Sequence, residues 1–141
     1  MESWRPWARS ALGGDVDTRR RTLVDSFRYA FAGLWHALRT QRNIRIHLAV
    51  AIVVVILGIA LNLPEGAWTV IALTIGFVFV AELFNSVIEA VIDLVTEDYH
   101  PLAKQAKDIA AGAVLIAAIT AVAVGVLVLG PPLLARLGWN P

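Results

Sequence analysis

The chain has 141 residues, 58% of them hydrophobic, with a mean hydropathy of +0.70 and a formal net charge of +1. So apolar a chain of this length cannot hide its hydrophobic surface in one small soluble core, which makes it a membrane protein with room for a few spans and little else. The absence of cysteine excludes disulfides, thiolate metal sites and a cysteine nucleophile.

Nine of the twelve basic residues precede residue 46: Arg5, Arg9, Arg19, Arg20, Arg21, Arg28, Arg39, Arg42 and Arg45. This bias predicts a cytoplasmic N-terminus. No apolar h-region occurs in the first thirty residues, so no cleavable secretory signal is expected. Residues 1–21 carry Pro6, Gly13, Gly14 and scattered charge without apolar periodicity, and read as a poorly ordered basic tail. Arg19 to Arg21 are expected to meet anionic headgroups. Over 22–43, Leu23, Phe27, Ala30 or Phe31, Leu34 and Leu38 recur at three- and four-residue steps while Asp25, Arg28, His36 and Arg39 fall elsewhere. That is an amphipathic helix, which either lies in the membrane interface or packs on the chain's own spans.

Three spans follow. The first, 44–61, is apolar apart from His47 and its cytoplasmic flank, and "NLPEG" at 62–66 is a turn. The second runs over 67–95 as one long helix. "TEDYHP" then breaks the pattern, since Pro101 disfavours a helical His100 and suits the first turn of a new helix. The third span is predicted over 101–129, ending at "GPP", with 131–141 a short external tail. No lysine or arginine occurs between residues 46 and 103. The turn at 62–66 is therefore expected outside, the turn at 96–104 in the cytoplasm and the C-terminus outside.

The second span ends in "AELFNSVIEAVID", which places Glu82, Asn85, Glu89 and Asp93 three, four and four residues apart, on one stripe of a helix. A charge deep in a bilayer costs about 2.5–3.5 kcal/mol, so the stripe must face protein, water or cations. One reading is structural: Glu82 is buried and hydrogen-bonded or protonated, and Glu89 and Asp93 sit in the wet headgroup zone. The other is a cation site, since carboxylate oxygens suit Mg²⁺, which takes one or two carboxylates together with substrate phosphates. Across the turn lie Lys104, Lys107 and Asp108. Lys104 and Asp108 are four apart and can pair on the helix surface, whereas Lys107 has no partner at that spacing. Acids on one helix beside a lysine on the next suit phosphoryl transfer. Neither a G-x-x-x-x-G-K-[ST] loop nor a G-x-G-x-x-G loop is present, so a nucleotide site here is unlike the common folds. Two rivals remain open on the residues alone: a proton- or cation-conducting protein whose acids form a relay, and a structural membrane subunit in which the stripe guides assembly.

The run "AELFNSVIEAVIDLVTEDYHPLAKQAKDIAAGAVLI", Ala81 to Ile116, closely resembles the signature of the small prokaryotic lipid kinases, the diacylglycerol kinase and undecaprenol kinase family. Its elements are E-x-x-N-[ST]-x-[IV]-E-x-x-[IV]-D, then [YH]-H-P-L-A-K-x-A-K-D, then a small-residue helix. The resemblance extends over about 22–130, with "RNIRIH" at Arg42 to His47. It implies an all-α membrane protein, a surface helix plus three transmembrane helices, assembled as a homotrimer in the prokaryotic cytoplasmic membrane with active sites between protomers at the cytoplasmic interface. It implies ATP as phosphate donor, Mg²⁺ as cofactor and a lipid alcohol as substrate, undecaprenol ahead of diacylglycerol because "DLVTEDYHPLAKQAKD" looks more like the undecaprenol kinases; no nucleic-acid partner is expected. By position, Glu89 is the Mg²⁺–ATP ligand, Glu82 the base near the lipid hydroxyl and Lys107 the contact to the transferring phosphate. Asn85, Asp93 and Asp108 match motif positions lining or supporting the nucleotide site. Where the family commonly has a glutamate in the metal site just before the R-N element, this chain has Gln41. Tyr99 and His100 match the motif too and read as turn-packing residues. Ala113, Ala117, Ala121 and Gly125 form a small-residue stripe that lets helices approach closely, or simply mark an alanine-rich span.

Overall fold

The computed structural model describes residues 22–96 and 98–139. Among them are four α-helices and no strand: α1 (Leu23–Thr40), α2 (Arg42–Ala60), α3 (Glu65–Val95) and α4 (Pro101–Arg136). The tail over 1–21, Arg19 to Arg21 included, lies outside the described residues. Helices α2, α3 and α4 are each long and apolar enough to cross a membrane.

The chain divides into two units between Leu34 and Trp35. In the first, α1 opens with a capping box: Asp25 N donates to Thr22 Oγ1 and Thr22 N to Asp25 Oδ2, each at 3.2 Å, while the Thr22 hydroxyl donates to the same Oδ2 at 2.7 Å. The side-chain bond from Thr22, then its backbone bond, then the nearby Arg28 charge hold the Asp25 carboxyl below its ordinary 3.8. A depressed carboxylate stabilises the folded form above that ordinary value and loses its contribution as pH falls through the lowered one, so this cap is at full strength at neutral pH. "TLVD" carried that signal in the sequence, at a place where the periodicity had drawn the attention. Within this unit Leu23, Phe27 and Phe31 stay exposed.

The second unit contains the end of α1 and the three long helices. Arg39 lies over the Trp35 ring at 4.5 Å, an exposed contact of the kind that contributes about 0.5–1 kcal/mol. The chain breaks helix at Gln41, whose extended backbone (φ −93°, ψ 117°) separates α1 from α2. The joint thus falls two residues earlier than the expected 43/44 boundary, and α2 starts with its two basic residues already helical.

The α2–α3 turn is a Schellman motif. Asn62 N donates to Ile59 O and Leu63 N to Gly58 O, both at 3.1 Å, with Asn62 in the left-handed region at φ 53°. Asparagine tolerates that conformation better than other residues with a side chain, and Leu63 folds back on Gly58 as the motif's apolar contact. Trp68 closes the clasp. A Cβ at Gly58 would stand 2.8 Å from Trp68 Cη2 and 3.1 Å from Leu63 Cδ1, and an indole packed between two helices does not yield freely. Gly58→Ala is therefore expected to destabilise by about 1–3 kcal/mol, read as a lower thermal midpoint in detergent, with partial recovery in Gly58→Ala/Trp68→Leu.

Helix α3 ends where Thr96 turns extended (φ −151°, ψ 130°), and α4 starts at Pro101 behind His100. The His100 imidazole accepts from Leu102 N at 3.2 Å, a side-chain N-cap. His100 and Tyr99 are exposed, so neither packs in the turn as expected, and His100 caps α4 instead. At its far end α4 passes through Pro131 and Pro132 and stops only at Arg136, seven residues beyond the expected Leu129. Gly130, lacking a Cβ, removes much of the clash that a residue before proline suffers. The stop signal is Gly138 instead: at φ 83° it lets Gly138 N reach Ala135 O at 3.2 Å and Trp139 N reach Leu134 O at 3.0 Å, a second Schellman motif.

Gly58 against Trp68 at one end and Asp93 against Lys107 at the other make α2, α3 and α4 consecutive antiparallel neighbours. Their mutual core is thin. Only Ala37, Ile44, Leu63, Ile71, Val78, Ala110 and Ala117 are buried hydrophobics among the described residues, while most large apolar side chains of the three helices are exposed. In water this would be untenable; in a bilayer it is the expected surface.

Candidate active site

The buried face of α3 reads Ile71, Val78, Glu82, Asn85. The acid stripe is thus the continuation of the apolar one, turned polar for its last three turns. Glu82 is 1% exposed and Asn85 5%. Neither Glu82 Oε2 nor Asn85 Oδ1 has a hydrogen-bond partner among the described residues. Such orphans cost about 1–3 kcal/mol each, more for a charged group. Asn85 uses its amide instead to donate to Glu89 Oε1 at 2.9 Å, fixing one oxygen of a half-buried carboxylate.

One turn further, Asp93 meets α4. Lys107 Nζ donates to Asp93 Oδ1 across the turn, with Lys107 37% and Asp93 65% exposed. Lys104 pairs with Asp108 four residues on, the surface outcome allowed for that spacing. Lys107 therefore does have a partner, fourteen residues away in sequence, where no helix-face rule looks for one. Gln41 sits half-buried at the α1–α2 joint, and its side chain makes no cap bond. Glu82, Asn85, Glu89 and Asp93 thus share one face, with Lys107 bonded to its last member. No group of three His, Cys, Asp or Glu side chains among the described residues is placed to hold a metal.

Along the apolar part of α3 that precedes the stripe, α2, α3 and α4 enclose an open-sided apolar cavity of about 370 Å³, lined among others by Ile46, His47, Val78, Phe79, Ala121 and Gly125. Val78, the lining residue of α3 next to the acid stripe on its buried face, is one helical turn from Glu82, which itself lies outside the lining. Of the small-residue stripe, Ala117 is buried and Ala121 and Gly125 line this cavity, while Ala113 is exposed.

The family model for prokaryotic diacylglycerol kinase matches residues 28–129, which include every one of these side chains. The chain belongs to that family. Among its relatives, a diacylglycerol kinase of Synechocystis sp. is 47% identical over 134 residues, covering 94% of this chain and 77% of that protein. An undecaprenol kinase of Bacillus subtilis is 44% identical over 108 residues, 77% of this chain and 88% of the relative. A diacylglycerol kinase of Escherichia coli is 30% identical over 100 residues, 71% and 82% of the two chains. Both acceptor names thus occur among relatives of this family member at similar identity, and membership removes the ion-conduction and purely structural readings.

Proposed function

We propose that the chain, a lipid kinase that takes its phosphate from ATP, phosphorylates the primary hydroxyl of undecaprenol, with diacylglycerol as the alternative acceptor; relatives named for each stand at similar identity, 44% and 47%. The observation that carries the reading is Glu82, a carboxylate buried with an orphaned oxygen one helical turn from Val78 in the lining of an apolar cavity. A lipid offers both a chain for the cavity and a hydroxyl for the oxygen.

In the proposed reaction Glu82 accepts the hydroxyl proton, the hydroxyl oxygen bonds to the γ-phosphorus, and the bond from that phosphorus to the bridging oxygen breaks to release ADP. Lys107 places its ammonium on the phosphate that moves. Glu89, oriented by Asn85, and Gln41 supply oxygens for Mg²⁺; when bound, the ion offsets phosphate charge. The unpaired Asn85 oxygen and the free Glu89 oxygen fit a hard cation or its water, and the neutral Gln41 contributes a carbonyl oxygen without charge. Asp93 and Asp108 line or support the nucleotide side.

One chain cannot enclose such a site, because α2 to α4 leave most of their surface outward. A homotrimer in the prokaryotic cytoplasmic membrane would complete it, with N-terminus and site in the cytoplasm, C-terminus outside and the exposed apolar stripe of α1 on the membrane surface. Residues 22–130 form the kinase domain in this reading, and Arg19 to Arg21 of the tail meet anionic headgroups.

The test is phosphate transfer from labelled ATP to undecaprenol and to diacylglycerol, offered separately in mixed micelles with Mg²⁺. Transfer to either supports the reading and ranks the acceptors; transfer to neither overturns it. In the same assay Gln41→Glu is expected to retain transfer and to reach half-maximal rate at several-fold less Mg²⁺, since added ligand charge tightens Mg²⁺ binding. An unchanged Mg²⁺ titration would remove Gln41 from the metal site.

A further inference from the structure

Resting on that reading, we infer that Asp93 is a positioning residue, which acts on the reaction by holding the Lys107 ammonium over the acid stripe of α3 and has no need to touch the nucleotide itself. The pair joins the last turn of α3 to the second turn of α4. An ion pair with 37% and 65% of its side chains exposed contributes little to stability, because solvent screens it. Its effect is on geometry. Lysine is a point charge on a flexible four-carbon stem and costs rotamer entropy to place. Asp93 is four residues from Glu89, about 6 Å along the helix, so an ammonium bonded to Asp93 lies within one turn of the carboxylate proposed to face the phosphates.

Among the described residues the other cation of the turn is already paired: Lys104 is taken by Asp108, which in turn is kept from competing for Lys107. One of the three ammonium protons goes to Asp93, which leaves two for phosphate oxygens. The lysine can therefore hold its anchor and its substrate together.

The experiment compares wild type, Asp93→Asn and Asp93→Glu, measuring kcat and KM for ATP in the lipid phosphorylation assay and the thermal midpoint in detergent. A misplaced charge lowers the chemical step more than ground-state binding. Asp93→Asn is expected to lose about tenfold in kcat, with KM for ATP within about twofold and the midpoint unchanged. Asp93→Glu, which keeps the pair, is expected to recover most of the rate. Three results overturn the inference: unchanged kcat in Asp93→Asn, which leaves the pair structural; a raised KM at unchanged kcat, which puts Asp93 on the nucleotide; or a rise in kcat, which makes the pair a restraint. An Asp93→Asn protein with a lowered midpoint is judged by Asp93→Glu, whose failure to recover rate at wild-type stability also overturns it. Absence of transfer in wild type is a different failure, that of the kinase reading, and takes the inference with it.

Discussion

Glu89→Gln is expected to lower phosphate transfer by about a hundredfold or more while leaving the fold intact. The amide has the shape of the carboxylate, and its carbonyl can still accept from Asn85 Nδ2, the bond that Glu89 Oε1 makes at 2.9 Å. What disappears is the negative charge. Among the described residues no cluster of three acidic or imidazole side chains stands in reserve, and Gln41 offers a neutral oxygen. The loss should therefore not be recoverable by a neighbour. The measurement is transfer of labelled phosphate to lipid at saturating Mg²⁺, alongside helicity and oligomeric state in detergent. Full activity in a folded variant would remove Glu89 from the metal site.

Glu82→Gln separates chemistry from architecture. As proton acceptor, Glu82 should be worth about 10²–10⁴ in kcat, with little change in KM for ATP because the nucleotide lies on the far side of the transferred phosphate. As a buried group it is an expense. Its Oε2 has no partner, and exchanging an unpaired buried carboxylate for its amide relieves a desolvation cost of several kcal/mol where the group is charged. The variant is thus expected to be at least as heat-stable as wild type and nearly inactive. Retained activity at equal or raised stability would leave Glu82 a packing residue and return the search for the base to the headgroup zone.

Much of this was legible in the sequence because helices advertise themselves by period. The spacing of 82, 85, 89 and 93 placed four side chains on one face, and the structure shows that face continuing the buried stripe through Ile71 and Val78. Pro101 marked the start of α4. What periodicity could not carry were contacts between helices and the chemistry of ends. The Asp93–Lys107 bond spans fourteen residues, beyond the reach of the four-residue rule that finds the Lys104–Asp108 pair beside it. "GPP" read as a stop because proline lacks a donor, yet the missing glycine Cβ at 130 eased the passage and the left-handed Gly138 ended the helix. His100 gave no sign that its ring would serve as a cap, since histidine is outside the usual set of capping residues.

Six of the seven candidate residues lie between Glu82 and Asp108, on one helical hairpin closed by a turn over 96–100. Low sequence separation of this kind makes for rapid, local folding. At about 5–20 residues per second, the ribosome delivers this stretch within seconds, so the acid stripe and its lysine can meet as soon as the hairpin is inserted. If the chain forms the proposed homotrimer, its subunits would then assemble around a hairpin that already has its shape, and an error in their association would cost the enclosure of the site before it cost the pairing of its charges.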